Sequence, residues 1–409
     1  MTVADVTVQR RSRATLGHVE GDLIVERDAV VKPETDTLIV DGRVECEGGV
    51  AIDGNLRASE VHASDRDLDV RGDLTASGSV RITDASLHVS GSLSARSVDV
   101  DRNLGVGGNV TVADFDVGSR AEIHGTLNAR SVAVGGSLDV SGSADVEEID
   151  VGGSVRIAKE ANCHSIDVGG SVVIGGGTVT RQIDVGGSFE STGPLEFDEL
   201  DVGGSVLLRG NSSGRQIDVG GVVKVSGNLK FEKIDVGGTI EIEGNAEGGD
   251  VDIGGVLRVG GNLNMSGRLE VGGKCKVNGV LTADRVEIGG WLEANEVKVR
   301  EIEVGGSIVT EKGVRAESIT IGDRGRVRGP LVGTTIRIGE RSEVEALYGR
   351  TVVMEERGRA GSIHGVDLRI ESGCRIQGEV LYSGSLEIEE DVSFGVEPRR
   401  VSSLPPALS

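Results

Sequence analysis

Ile149-Asp150-Val151-Gly152-Gly153-Ser154-Val155 returns as Ile166-Asp167-Val168-Gly169-Gly170-Ser171-Val172, and the phrase then recurs along the chain. Its first apolar residue falls at Val98, Phe115, Val132, Ile149, Ile166, Ile183, Leu200, Ile217, Ile234 and Val251, the same interval nine times in succession. The series continues through Leu269, Val286, Ile302, Ile319, Ile336, Val352, Leu368 and Leu386 at spacings of 16 to 18, and backwards through Val80, Val61 and Val44 at 17 to 19. A short unit copied about 20 times decides the fold before any other feature does.

With that first apolar residue as position 0, position 2 is apolar as well (Ile149, Val151), and so are positions 6, 8 and often 12 (Val172, Ile174, Leu263). Polar residues lie between them. Alternation in runs of three to five residues predicts very short strands with one buried face. Positions 3 and 4 are Gly-Gly in eleven consecutive units, from Gly135-Gly136 to Gly305-Gly306. Position 10 is Gly176, Gly193, Gly210, Gly227, Gly244, Gly261 and Gly279. These glycines are expected at sharp corners, where they take backbone angles closed to other residues. A helical reading fails, because a Gly-Gly pair in every unit breaks helices and β-branched residues fill the inward positions. Three strands and three corners make a triangular coil. Each strand bonds to the same strand one coil on. The expected fold is therefore all-β: a single-stranded parallel β-solenoid, or triangular β-helix, with about 17 residues per coil. At about 4.8 Å per coil, about 20 coils predict a rod on the order of 100 Å long.

The 409 residues would ordinarily suggest two or three domains. The unbroken register predicts one elongated body instead, with stability close to a sum of coil and neighbour terms. Aromatics are 2% of the chain, so the core is stacked Val, Ile and Leu. The expected organisation is a disordered N-terminal arm over 1–15, containing Arg10-Arg11-Ser12-Arg13, and irregular capping coils over 16–43, interrupted by a loop at Lys32–Thr37. A continuous solenoid follows over 44–395, and a disordered tail over 396–409.

The formal net charge is -23, and only nine of 43 basic residues are lysine. An acidic, lysine-poor surface suggests a salt-loving source and argues against a broad nucleic-acid face, which needs a basic stripe. Cys46, Cys163, Cys275 and Cys374 are far apart without a CxxC and read as reduced small hydrophobes. No apolar leader follows Met1 and no apolar run approaches a membrane span, which predicts a cytoplasmic location.

The phrases Ile319-Thr320-Ile321-Gly322, Val327-Arg328-Gly329-Pro330-Leu331, Ile376-Gln377-Gly378-Glu379-Val380 and Leu386-Glu387-Ile388-Glu389-Glu390-Asp391-Val392-Ser393-Phe394-Gly395 resemble those of bactofilins. Glu20-Gly21-Asp22-Leu23 and Arg71-Gly72-Asp73-Leu74 share the flavour near the start. The family-like phrases concentrate in 319–395 and cover roughly a quarter of the chain, and the acidic composition points to the haloarchaeal branch, the halofilins. The resemblance implies a right-handed triangular β-helix that assembles end to end into filaments without nucleotide or other cofactor and scaffolds cell shape. Its implied partners are copies of itself, other bactofilin-like proteins and membrane-associated factors, with no nucleic acid and no small-molecule substrate. The chain departs from the family in its length and in its Asp-Val-Gly-Gly phrase. A long solenoid that partners or regulates a filament is the alternative.

If the ends assemble, the contacts belong to the terminal coils, whose strand edges lack a neighbour. The apolar candidates are Leu386, Ile388, Val392 and Phe394 at one end and Val19 and Leu23 at the other. A second candidate is the row at position 1: Asp150, Asp167, Asp184, Asp201, Asp218, Asp235, Asp252, Glu270, Glu287 and Glu303. Each lies between two inward residues and is expected to point outward. Neighbours about 4.8 Å apart repel by about 1 kcal/mol in water and about 3.5 kcal/mol at an effective dielectric of 20. Salt at 1 M, with a Debye length of about 3 Å, screens such a row. It is expected to be a solvated face or a stripe for cations or partners.

The rival from another class is a left-handed hexapeptide-type acyltransferase, which resembles this chain in its triangular coils. Such enzymes tend to an 18-residue coil and generally use a histidine. The six histidines (His18, His62, His88, His124, His164 and His364) occupy scattered phases and form no ladder. Asn109-Val110-Thr111 and Asn211-Ser212-Ser213 match a glycosylation sequon only formally. Trp291 follows a Gly-Gly corner at an outward position. No catalytic residue, metal ligand set or enzymatic activity is expected.

Overall fold

Val6–Val8 pairs in parallel with Leu23–Val25, Arg13–Leu16 with Val30–Pro33, and His18–Val19 with Thr37–Val40. One coil thus gives one strand to each of three parallel ladders, and this arrangement defines the molecule. The computed structural model describes residues 5–406, and those residues contain strands and no helix. They divide into two units, ending at Arg209 and starting at Gly210. Each unit is a parallel β-solenoid in which every strand stacks on its counterpart one repeat away, as Val132 does on Ile149 and Ile234 on Val251.

The position-0 residues stack as the periodicity requires. In unit 1 the first ladder runs from Val6 to Leu23 and Val44, then through Val61, Val80, Val98, Phe115, Val132, Ile149, Ile166, Ile183 and Leu200. In unit 2 it runs from Ile217 through Ile234, Val251, Leu269, Val286, Ile302, Ile319, Ile336, Val352 and Leu368 to Leu386. Nearly all of these side chains are buried. Burying each Val, Ile or Leu contributes about 1.5–3 kcal/mol, which offsets the ordering of a chain that has few other core residues.

The Gly-Gly corners are where expected, but for a different reason. Gly152 and Gly153 do not take a left-handed φ. What they provide is the missing side chain. A Cβ at Gly153 would lie 2.5 Å from the Gly136 carbonyl oxygen, and one at Gly152 would be as crowded by that of Gly135. Coils stack so tightly here that backbone rests on backbone. The next corner is held differently in unit 2. Asn211 Oδ1 accepts from Asn228 N, Asn228 Oδ1 from Asn245 N, and Asn245 Oδ1 from Asn262 N, at 2.8–2.9 Å. This asparagine ladder occupies the residue after the position-10 glycine.

Towards both chain ends the first corner changes type. Arg11, Asp28, Asp65 and Asp84 in unit 1 take φ of 53–70°, as do Arg324, Arg341, Arg357 and Asp391 in unit 2. A non-glycine residue in this region costs roughly 1–2 kcal/mol, and the surrounding hydrogen bonds hold it there. Buried Ser342 Oγ accepts from Gly325 N and donates to Gly322 O, locking the Arg324 corner. Cys374 takes the equivalent place in its coil and donates to Glu355 O at 3.0 Å.

The boundaries need three corrections. The arm expected over 1–15 is the first coil from residue 5 onward, because Val6-Thr7-Val8 and the Arg11 corner fit the ladders; residues 1–4 lie outside the described residues. The stretch 16–43 joins the ladders too. Its coil from Leu23 to Val44 is longer than the others, and Lys32 and Pro33 belong to a strand, leaving Glu34–Asp36 as the loop. At the other end Arg399–Arg400 pairs with Leu381–Tyr382, so the last coil runs past 396; residues 407–409 lie outside the described residues.

All four cysteines are free and buried. Burial pushes the thiols of Cys46, Cys163 and Cys275 up to about 12, which makes them inert small hydrophobes. Among the described residues no helix is long and apolar enough to cross a membrane.

Candidate assembly surfaces and the acidic row

In unit 1, Asp150, Asp167, Asp184 and Asp201 are exposed and stack in one column through consecutive parallel ladders. Neither Asp150, Asp167 nor Asp184 has a basic group within ion-pair distance among the described residues. Desolvation, followed by the charges of Asp184 and Asp150, pushes the Asp167 carboxyl above its ordinary value. Like charges stacked across strands have this effect.

In unit 2 the same column holds Asp218, Asp235, Asp252, Glu270, Glu287 and Glu303. Here two members are neutralised. Arg268 bonds Glu287 at 2.5 Å and Glu270 at 2.8 Å, and Arg285 reaches Glu287 at 2.6 Å. These arginines hold the Glu287 carboxyl below its usual range. The column then changes sign at Arg337, which pairs with Glu355, and at Arg369, which pairs with Glu371 and Glu389. Within the line of carboxylates expected from the sequence, salt bridges thus engage Glu270 and Glu287. The arginines responsible stand two residues before a position-1 acid, a spacing visible in the sequence. No group of three or more His, Cys, Asp or Glu side chains arranged to hold a metal ion occurs among the described residues.

The terminal coils differ from one another. The last coil is formed by Leu386–Ile388, Ser393–Phe394 and Arg399–Arg400, each paired on one edge only. Leu386, Ile388 and Phe394 continue core columns with no coil above them among the described residues. Ile388 is 45% exposed and Val396 47%, while Leu386, Val392 and Phe394 are half-buried. All four candidates at this end thus lie on the last coil. At the other end the expectation fails. Leu23 is fully buried one coil inside, between Val6 and Val44. Val19 belongs to the first coil but is 3% exposed. The accessible apolar residues there are Val6, Ala14 and Leu16, all half-buried.

The histidines lie apart, as their phases imply. His18 bonds Asp41 at 2.9 Å, and His124 bonds Glu122 at 3.1 Å. His364 is buried edge-on to Tyr348, 3.8 Å from Glu379. Burial holds its pKa below the ordinary value, with Glu379 opposing. Trp291 is half-buried between Lys274 and Ser307 on neighbouring coils. The side-chain oxygens of Asn109 and Asn211 are engaged with the next coil. A groove of about 390 Å³ lies among Arg326, Arg328, Arg359, Glu343, Glu345 and Gln377, with charges of both signs.

Comparison with protein-family models, curated proteins and solved structures finds no match to this chain.

Proposed function

We propose that this chain is a non-enzymatic scaffold of bactofilin type that assembles through its terminal coils, without nucleotide, into filaments that contribute to cell shape. The observation that carries the reading is the uncovered last coil. A β-solenoid is an open-ended stack, and the natural way to cover its final core layer is another coil. Ile388 is among the most exposed large apolar side chains of the described residues, and it continues a column that is buried at Ile370 and Met354 in the coils before it. A monomer whose work ended at this coil would be expected to cap it with polar side chains, charges or a folded-back segment. Cytoplasmic placement in a salt-rich cell follows from the same reading, since high salt screens the -23 net charge and strengthens apolar contact.

The test is ultracentrifugal pelleting of purified protein, without nucleotide, across a range of protein and salt concentrations. Wild type is expected in the pellet, and Ile388→Glu in the supernatant with an unchanged circular dichroism spectrum. Wild type that stays in the supernatant under every condition overturns the reading.

A further inference from the structure

We infer that the left-handed corners of unit 2 form a docking surface for an acidic α-helix of a partner protein, held by the ladder of Arg324, Arg341 and Arg357. The surface lies on the flank of the solenoid, and the inference holds whether or not copies of the chain assemble.

The ladder follows from the corners. All three residues take φ of 57–60°, and the N–H of Arg324 donates to Glu340 O and that of Arg341 to Glu356 O, at 2.7–2.9 Å. These bonds stack corner on corner, so the arginines rise in one row about 4.8 Å apart. Around them the two signs of charge are used differently. Between Gly322 and Gly378 arginines outnumber acids ten to eight, in a chain whose net charge is -23. Most of those acids are engaged inside the molecule. Asp323 accepts from Glu340 N, Glu345 from Gly329 N and Asp367 from Ser385 N, while Glu355 and Glu371 pair with Arg337 and Arg369. Arg324, Arg341 and Arg357 are exposed and have no ion pair among the described residues. The same holds for Arg326, Arg328, Arg359 and Arg375 on the strands that follow the corners. Arg326, Arg328 and Arg359 line the groove of about 390 Å³. Unpaired guanidinium groups set in a row beside a groove, on an acidic chain, are complementary to a row of carboxylates.

The occupant follows from the spacing and from what borders the row. Residues three and four apart on an α-helix lie about 5–6 Å from one another, so a carboxylate stripe on a helix running along the coil stack meets about one arginine per turn. Glu340 and Glu356 immediately precede Arg341 and Arg357 and are exposed without an ion pair. Their charge repels a nucleic-acid backbone, which is negative throughout, but suits a helix with basic residues beside its acidic stripe. The chain's own acidic column fits less well. Asp150, Asp167 and Asp184 are bordered by Glu148, Ser165 and Gln182 on one side and by the Gly-Gly corner on the other, with no cation to meet Glu340 and Glu356. Direct guanidinium–carboxylate contacts act within the roughly 3 Å Debye length of 1 M salt, so the docking persists where longer-range attraction is screened.

Fluorescence anisotropy with a labelled synthetic helix tests the surface. The probe carries glutamate on one stripe at alternating three- and four-residue spacings, lysine on the neighbouring stripe and alanine elsewhere. Its control has the same composition with the stripes scrambled. Wild type should bind the probe at least tenfold more tightly than the control. Arg324→Asn/Arg341→Asn/Arg357→Asn removes the charges with a residue that tolerates the left-handed corner, and should lose at least tenfold in affinity with an unchanged circular dichroism spectrum. Arg326→Gln/Arg359→Gln, at outward strand positions that leave the corners intact, should weaken binding as well. Equal affinity for probe and control, or full affinity in both variants, overturns the inference. Tighter binding of a single-stranded DNA oligonucleotide than of the probe, lost in the same variants, assigns the ladder to nucleic acid and overturns the helix. Absence of probe binding by wild type, together with pelleting lost in the triple variant, overturns it in favour of a second copy.

Discussion

Gly152-Gly153 and Asp323-Arg324 turn the same corner of the coil by different means. The first pair is backbone lying against backbone, with a carbonyl oxygen 2.5 Å from where a Gly153 Cβ would be. The second is a longer turn with an arginine held at φ 57° and its side chain in solvent. A glycine corner can be repeated without limit, but it offers a partner no side chain. A left-handed corner is costlier and presents charge. The chain uses glycine corners through its middle and left-handed corners towards both ends, where Arg11 and Asp391 stand. On the proposed assembly, the difference separates coils that stack within the chain from coils that would meet another chain.

Substitutions should divide along the same line. The largest effect is expected from Phe394→Arg, which places a charge in the uncovered core column. Filaments should shorten or disappear in electron micrographs, with strand content and melting unchanged. Filaments of wild-type length would remove Phe394 from the joint. Next comes Gly153→Ala in the middle. Its Cβ meets the Gly136 carbonyl, and a loss of about 2–3 kcal/mol is expected in urea denaturation, with assembly of the folded fraction retained. A neutral result would show that the coils can separate at this corner. Arg341→Gly should act in the opposite direction. Gly373 fills the equivalent place at φ 72°, so relief of the left-handed arginine should exceed the entropy glycine adds, by about 0.5 kcal/mol. A loss of stability would mean the guanidinium holds the corner through contacts of its own.

The smallest effect belongs to the acidic column of the middle coils. The Asp167 carboxyl is raised above its ordinary value, so its ionisation costs the folded state. Stability should fall as pH rises through that raised value and recover as pH falls below it. Asp167→Asn should remove this slope at low ionic strength and shift neutral-pH stability upward by no more than about 0.5 kcal/mol. The difference from wild type should vanish in molar salt. A variant that keeps the full pH slope would place its origin elsewhere.

The ladders were legible because Val and Ile at a fixed phase of the repeat leave one way to bury every copy. The cause of the Gly-Gly corners was not legible. Glycine serves a left-handed turn and a close backbone approach equally well, and only the position of the neighbouring coil separates the two. The first coil was hidden by its charge: Arg10-Arg11-Ser12-Arg13 reads as a solvated arm. Its signal was present in the spacing, since Val8 and Val25 stand one repeat apart and each precedes a polar corner. The error at Val19 and Leu23 follows from that miss, because a coil not counted moves the end of the stack inward. The asparagine ladder could likewise have been read from Gly-Asn recurring at Asn211, Asn228, Asn245 and Asn262. The salt bridges within the acidic row at Glu287 depended on arginine side chains reaching along and across coils, which phase alone does not reveal.

Negative-stain electron microscopy of the purified chain, without nucleotide and at both low and multimolar salt, tests the central claim most directly. The proposed assembly through the terminal coils predicts unbranched filaments of many copies, persisting at high salt where apolar contact is strengthened. Isolated single particles at every salt and protein concentration would contradict it.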